Sequence, residues 1–301
     1  MNILLCGASG FVGRNIRATL EAKGHTVTGA GSSLNAHNQL AVDYARDTSA
    51  AVWLPRLAGI DAVINAVGVL RDTRRRPIVA VHSGTPKALF DAAAQAFELD
   101  GVQRRVIQIS ALGIADTTHN TTQYASTKRA ADVHLQALMA AGKVTGTVLR
   151  PSIVFGKGGA SSAMFAALSK LPVLVLPKPV LTARVQPIAV QDLARGVETL
   201  VDARHIDSLY ECVGEAALPL AAFIASLREQ QGRKPARVVA LPQWMTRISA
   251  RLGDQIPVAP WCSETLALLA NDNVSSSAAF AQVLGNERLA LQDFWSQAWD
   301  I

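Results

Sequence analysis

The chain of 301 residues, half of them hydrophobic, is long enough for a well-buried α/β core with a smaller appended region. Its formal charge of +6 is carried by dispersed basic residues, with no basic helix interleaved with aromatics, so no nucleic-acid partner is expected; no apolar run approaches the ~20 residues that span a bilayer, and the first strand is expected to belong to the fold rather than to a leader. Cys6, Cys212 and Cys262 are odd in number and far apart, and no C-x-x-C or H-E-x-x-H occurs, so no disulfide framework or structural metal is expected and a reducing, cytoplasmic compartment is.

In chain order, residues 2–6 read as a buried strand and 12–23 as a helix. Between them stands Cys6-Gly7-Ala8-Ser9-Gly10-Phe11-Val12-Gly13. Glycines at G-x-x-G-x-x-G spacing between strand and helix are what a pyrophosphate site needs. Gly7 permits the tight turn, Gly10 lets the backbone approach the phosphates, and Gly13 lets the helix pack closely on the strand. The phosphates then meet free N–H groups at the positive end of the helix. Strands follow over 26–30, 39–43, 61–65, 104–109 and 146–150, and helices over 49–56, 85–99 and 124–141. This alternation implies a doubly wound, Rossmann-type parallel sheet covered on both faces, whose ligands bind beyond the carboxyl ends of the strands. The glycine turn, Ser32, Asp43, Asn65 to Gly68, Ser110 and Pro151 all fall at such ends.

After Pro151 the pattern loosens. A Gly-rich loop spans 156–159, and Pro172, Pro177, Pro179 and Pro187 punctuate short apolar pieces. Helices are expected over 189–203, 219–231 and 260–270, and strands over 209–213 and 237–240. Residues 1–156 are thus expected to form an NAD(P)-binding core, and 157–301 the remaining core elements and a substrate-facing lobe.

Tyr124-Ala125-Ser126-Thr127-Lys128 places a phenol and an amine on one helix face. A nearby ammonium lowers a tyrosine pKa, and the phenol then exchanges a proton with a substrate alcohol or carbonyl while hydride moves at a nicotinamide. The alternative is an exposed helix face. The end of the second strand, Gly29 to Ser33, lacks the acid that holds a ribose 2′-OH, which favours NADP over NAD. Arg71, Arg74, Arg75 and Arg76 form either a solvated loop or an anion site. His82 either faces the nicotinamide cleft or starts a helix structurally. Trp244, Trp261, Trp295 and Trp299 are expected to anchor the packing of the second half.

Together these motifs resemble the short-chain dehydrogenase/reductase superfamily, in its extended or atypical forms. Gly7-Ala8-Ser9-Gly10-Phe11-Val12-Gly13 matches the cofactor loop, Asn65-Ala66-Val67-Gly68 the segment after the fourth strand, and Tyr124 with Lys128 the catalytic pair. Arg150-Pro151-Ser152-Ile153-Val154-Phe155-Gly156 resembles the segment that meets the nicotinamide carboxamide, which implies cofactor contacts at Pro151, Ile153 and Val154. The resemblance also implies that Asp43 accepts from the adenine amino group with backbone help at Tyr44, the alternative being a loop cap. Lys128 is implied to hold the nicotinamide ribose. Ser110 is the candidate catalytic hydroxyl, although extended members often carry it one residue later, at Ala111 here; the alternative places Ser110 in the core or on backbone groups. Arg184 to Ile188 and Gln191 to Ala194 are similar to the complex I accessory-subunit-like branch and to the soluble part of bacterial proteins with a DoxX-like membrane domain. The resemblance implies an NAD(P)-dependent oxidoreductase or epimerase-like enzyme of a small-molecule substrate. The rivals are a non-catalytic NAD(P)H-binding assembly or sensor protein and a peripheral partner of a membrane redox protein.

Overall fold

The computed structural model describes all residues except 74, 75, 119, 257–260, 270, 277 and 301, and within it the chain divides into two compact units. The first comprises Met1–Ala115, Gln123–Arg150 and Ala194–Glu211; the second comprises Asp116–Thr122, Pro151–Leu193 and Cys212–Ile301. Arg74 and Arg75 of the basic cluster lie outside the described residues.

The first unit alternates β1 (Asn2–Cys6), α1 (Phe11–Ala22), β2 (Thr26–Gly31), β3 (Leu40–Ala41), α2 (Ala50–Trp53), β4 (Ala62–Asn65), α3 (Thr85–Asp100), β5 (Arg105–Ile109), α4 (Gln123–Ala140) and β6 (Thr145–Pro151). The strands are short and β-branched or aliphatic, and β4 is buried along its whole length, as strands covered on both faces must be. Sheet order is β11-β6-β5-β4-β1-β2-β3, where β11 (Leu209–Cys212) follows α7 (Val190–Asp202), and every pairing from β3 to β6 is parallel. The register aligns the strand ends: Cys6 pairs with Ala30 on one side and Asn65 on the other, and Asn65 pairs with Gln108. On one face Leu4, Cys6, Val63 and Val106 pack with Trp53, Leu57, Leu89 and Phe90. The expected Rossmann-type sheet is therefore present. The strand expected over 39–43 shortens to two residues because the chain turns at once, with Asp43 Oδ1 accepting from Ala45 N–H. The chain leaves the sheet unit at Arg150 and returns over Ala194–Glu211 to supply its last strand.

The second unit holds β7 (Val154–Phe155), α5 (Ala160–Leu168), β8 (Val173–Pro177), α6 (Lys178–Thr182), β9 (Arg184–Val185) and β10 (Ile188–Ala189). After the return to the sheet come β12 (Leu218–Pro219), α8 (Leu220–Glu229), β13 (Arg237–Leu241), α9 (Gln243–Asp254), α10 (Ser263–Leu268) and α11 (Ala279–Val283). Among the described residues its strands pair two by two, β7 with β10, β9 with β12 and β8 with β13, and Val185 of β9 also bridges Asn273. An aromatic cluster holds it, with the Phe155 ring edge-on to Phe223 at 5.5 Å and stacked on Phe294 at 5.7 Å. The helix expected over 260–270 is the shorter α10, and positions 260 and 270 lie outside the described residues. Trp261 and Trp299 pack against this core as expected of the C-terminal tryptophans, but Trp244 does not: it is exposed on α9.

Candidate active site

The glycine turn has the geometry its spacing requires. Gly7 adopts φ +84°, which favours glycine, and its N–H donates to the Ala30 carbonyl at 2.8 Å. A Cβ on Gly13 would lie 2.0 Å from the Gly7 carbonyl oxygen, so α1 reaches the turn only through a glycine. Gly10 differs. A Cβ there would meet only the Gly7 carbonyl oxygen, at 3.1 Å, and the residue is exposed at the N-cap with no side-chain cap. The amides of Phe11, Val12 and Gly13 open α1 at its positive end. Such a cradle fits a pyrophosphate.

Around the turn, Asn38 Nδ2 donates to Ser9 Oγ at 3.2 Å and to the Ser33 carbonyl at 3.0 Å, while an Arg14 N–H donates to the Ser9 carbonyl at 3.0 Å. Ser32 is exposed at the end of β2. Arg14 is thus bonded to the turn rather than simply solvated. Asp43 is exposed and caps Ala45, with Arg46 Nε 3.8 Å from its other oxygen. Tyr44 turns inward: its hydroxyl donates to the Ala30 carbonyl, the Tyr44 carbonyl accepts from Thr85 Oγ1 at 2.8 Å, and burial raises the phenol's pKa.

The segment after β4 approaches the turn from the other side. The Ala66 backbone would sit 3.0 Å from a Cβ on Gly7, and Ala66 N–H donates to the Cys6 carbonyl. Asn65 is buried, with Nδ2 donating to Gln108 Oε1 at 2.7 Å and Oδ1 accepting from Val67 N–H at 3.3 Å. Its role here is to join two strand ends. Lys128 Nζ donates to the Ile109 carbonyl at 2.9 Å and points at the Val67 carbonyl at 3.5 Å, which puts the amine at the carboxyl ends of β4 and β5. A Cβ on Gly68 would be 3.6 Å from that amine.

Tyr124 lies one turn earlier on α4, partly exposed, its ring edge-on to His82 at 5.3 Å. Its phenol departs from the expectation of a lowered pKa. Burial, and then the charge of Asp132, push it up to about 12. Burial likewise brings Lys128 down to about 8 against the opposing pull of Asp132.

His82 stands in a π-helical turn, Ala80–Gly84, that leads into α3. Nε2 accepts from Val69 N–H at 2.9 Å, so Nδ1 carries the proton and donates to Thr127 Oγ1 at 3.2 Å; that hydroxyl donates to the Gln123 carbonyl at 2.7 Å. The ring therefore ties the loop after β4 to the first turn of α4. Burial, then the Lys128 charge, hold its pKa down at about 3.

Asp132, which no motif singled out, fixes the other end of the site together with Arg150, the first residue of the Arg150–Gly156 motif. Asp132 is buried, and its Oδ2 accepts from Ser110 Oγ at 2.8 Å and from Arg150 Nε and Nη2, each at 3.0 Å. Burial raises the Asp132 carboxyl against the pull of Arg150 and Ser110. The signal was in the sequence: Tyr124, Lys128 and Asp132 recur every four residues and so share one face of α4. Ser110 thus gives its proton to the core, the alternative to a substrate contact, and Ala111 brings no hydroxyl. The remaining residues of the expected set, Pro151, Ile153 and Val154, belong to the second unit, where the Ile153 carbonyl accepts from Ile188 N–H at 2.9 Å and Val154 pairs with Ile188.

Comparison with known proteins bears on the fold and the family. Among solved structures the chain is similar to MoeE5 in complex with UDP-glucuronic acid and NAD, at 19% identity over 90% of this chain and 97% of that one with a TM-score of 0.62. It is similar to a human epimerase family protein with NADPH (16% identity, 99% and 100% of the two chains, TM-score 0.69) and to the Bordetella bronchiseptica enzyme WbmH with NAD+ (16%, 99% and 96%, TM-score 0.69). At such identities these likenesses show the fold. A search of curated proteins finds no match. The model of the NAD dependent epimerase/dehydratase family matches residues 3–209, well over half of the sequence, and the chain belongs to that family.

Proposed function

We propose that the protein is an NAD(P)-dependent oxidoreductase or epimerase-like enzyme acting on a small-molecule carbonyl or alcohol. The observation that carries the reading is the placement of Lys128 at the carboxyl ends of β4 and β5, on the helix face that also bears Tyr124, in the unit whose glycine turn opens α1. Gly7 to Gly13 hold the pyrophosphate, with the first-turn amides of α1 as donors. Ser32 and Asp43 stand at the ribose and adenine side, and Asn65 to Gly68 with Lys128 at the nicotinamide side. A bound nicotinamide supplies or accepts the hydride. Tyr124, protonated at neutral pH by its raised pKa, gives its proton to the substrate oxygen, which suits carbonyl reduction. Lys128 holds the ribose hydroxyls, and Asp132 and His82 keep α4 in position.

NADP is the preferred cofactor in this reading. No carboxylate stands at Ser32 or Ser33, and Arg14 is bonded beside Ser9. Neighbours of the same fold carry either NAD or NADPH. Ser32→Asp is expected to shift preference toward NADH; wild type already binding NADH much more tightly than NADPH contradicts it. Resemblance to the complex I accessory-subunit-like branch rests on Arg184 to Ile188 and Gln191 to Ala194 alone.

A second reading, a nicotinamide-binding protein with little turnover, is favoured by one observation: the Ser110 proton is committed to Asp132. Tyr124→Phe separates the two. In an enzyme, NADPH-dependent reduction of a carbonyl panel falls by roughly 10²–10⁴-fold with cofactor affinity nearly unchanged. If wild type turns over none of the panel while binding NADPH, and Lys128→Met weakens that binding, the binder is the correct account.

A further inference from the structure

Helix α9 is built inside out. Along it Trp244, Met245, Ile248 and Leu252, with Ile256 just past its end, are each between 40 and 65% exposed, whereas its buried residues are Thr246, Ala250 and Gly253. Trp244, Ile248, Leu252 and Ile256 recur every fourth residue, so the large side chains form one stripe. This orientation is fixed by contacts on the small side. A Cβ on Gly253 would lie 2.0 Å from the Trp261 carbonyl oxygen; Trp261 Nε1 donates to Ser249 Oγ at 3.2 Å; and Ser263 donates from its N–H and hydroxyl to Asp254 at 2.8 and 2.5 Å. Turning the helix to bury its aliphatic flank would break all of these. The preceding strand β13 adds exposed Val238 and Val239.

The charge around the stripe is mainly positive, and the carboxylate of α9 itself, Asp254, is engaged by the N–H and hydroxyl of Ser263. Between Glu229 and Asp254 the chain carries Arg233, Lys234, Arg237, Arg247 and Arg251, all exposed, and no carboxylate. Arg247 and Arg251 lie on α9 itself, at the edge of the stripe. A helix with an apolar flank bearing tryptophan, bordered by arginines, matches what lies in the plane of a bilayer interface. A second copy fits less well, because a two-fold contact sets identical patches together and opposes like charges. No helix among the described residues is long and apolar enough to cross a membrane, so the contact is with the surface.

We propose that α9 docks the protein on a membrane surface bearing anionic lipid headgroups, its apolar stripe inserted among the acyl chains and its arginines among the headgroups. This rests on α9 alone and stands whether or not the dinucleotide site turns over substrate. The test is co-sedimentation of the full chain with vesicles of phosphatidylcholine alone and of a phosphatidylcholine–phosphatidylglycerol mixture. The protein is expected to pellet with the anionic vesicles, to be released by salt, and to lose about tenfold or more in affinity in Trp244→Ser/Ile248→Ser and in Arg247→Gln/Arg251→Gln. Circular dichroism checks each fold, and if the apolar pair fails to fold, the arginine pair decides. No association with anionic vesicles at low salt overturns the proposal, as does equal binding by the variants. Self-association or capture by an acidic protein, lost in the same variants without vesicle binding, overturns it in favour of that occupant.

Discussion

Helices α1 and α9 both approach their support through a glycine, and to opposite ends. In α1, Gly13 meets the Gly7 carbonyl, and the same helix buries Ile16 and Leu20, so bulk and close approach lie together and the free amides at its first turn remain the active feature. In α9, Gly253 meets the Trp261 carbonyl with only Thr246 and Ala250 beside it, and the bulk is left outside. One helix offers its end and the other its flank. A small residue at a contact therefore says that a helix comes close; the position of its large residues says what the helix presents.

Breaking the sheet-end anchor should have the largest effect on stability. Asp132→Ala leaves the Arg150 guanidinium buried without its carboxylate and should cost about 3–5 kcal/mol in urea unfolding. A cost under about 1 kcal/mol would show that water reaches Arg150 and that the anchor is not needed. Next come the two glycines. Gly13→Ala and Gly253→Ala each force backbone apart and should cost about 1–3 kcal/mol. The first should also weaken NADPH binding and the second should not; equal effects on binding would erase the distinction between end and flank.

His82 gives a smaller, pH-dependent effect. Its folded pKa, about 3, is below the ordinary 6.5, so below about pH 6.5 the unfolded chain takes up a proton that the folded chain refuses. This group's share of stability is fully present above pH 6.5 and is lost as pH falls toward 3, at about 1 kcal/mol per pH unit. Urea titrations at about pH 7 and about pH 5 should show the loss, and His82→Gln should flatten its share of the slope; an unchanged slope means that His82 titrates normally. The smallest effect is expected on α9: Ile248→Ser should change stability by less than about 0.5 kcal/mol, since the side chain is already half exposed. A loss of several kcal/mol would mean that the stripe is buried in solution.

The difference between the units also explains what the sequence discloses. The sheet unit is written in local terms: glycine spacing, strand and helix periods, and i, i+4 faces. Asn65, Lys128 and the glycine turn all fall at strand ends as read. Ser110 shows the limit, since its motif position gives the strand end but not whether its hydroxyl turns to substrate or to Asp132, 22 residues on. The Tyr124 pKa shows another: a nearby lysine is visible in sequence, whereas the burial that outweighs it is not. In the second unit the helices α5, α6, α9 and α11 escape the reading. α9 does so because its apolar residues follow a helical period without being a core, and only tertiary contacts at Gly253, Ser249 and Asp254 say which flank is inside.

The central claim is that the open side of Gly10 receives a dinucleotide pyrophosphate. Gly10 has an ordinary φ of −74° and a Cβ there would meet only one carbonyl oxygen, so Gly10→Val should fold while its branched side chain fills the approach to the helix amides. Calorimetric titration with NADPH and NADH, on wild type and on Gly10→Val with matched unfolding curves, tests this directly. The account predicts saturable binding to wild type and loss of about 100-fold or more in the variant, a few kcal/mol at 1.4 kcal/mol per tenfold. Undiminished binding by the folded variant, or no binding of either dinucleotide to wild type, would contradict it.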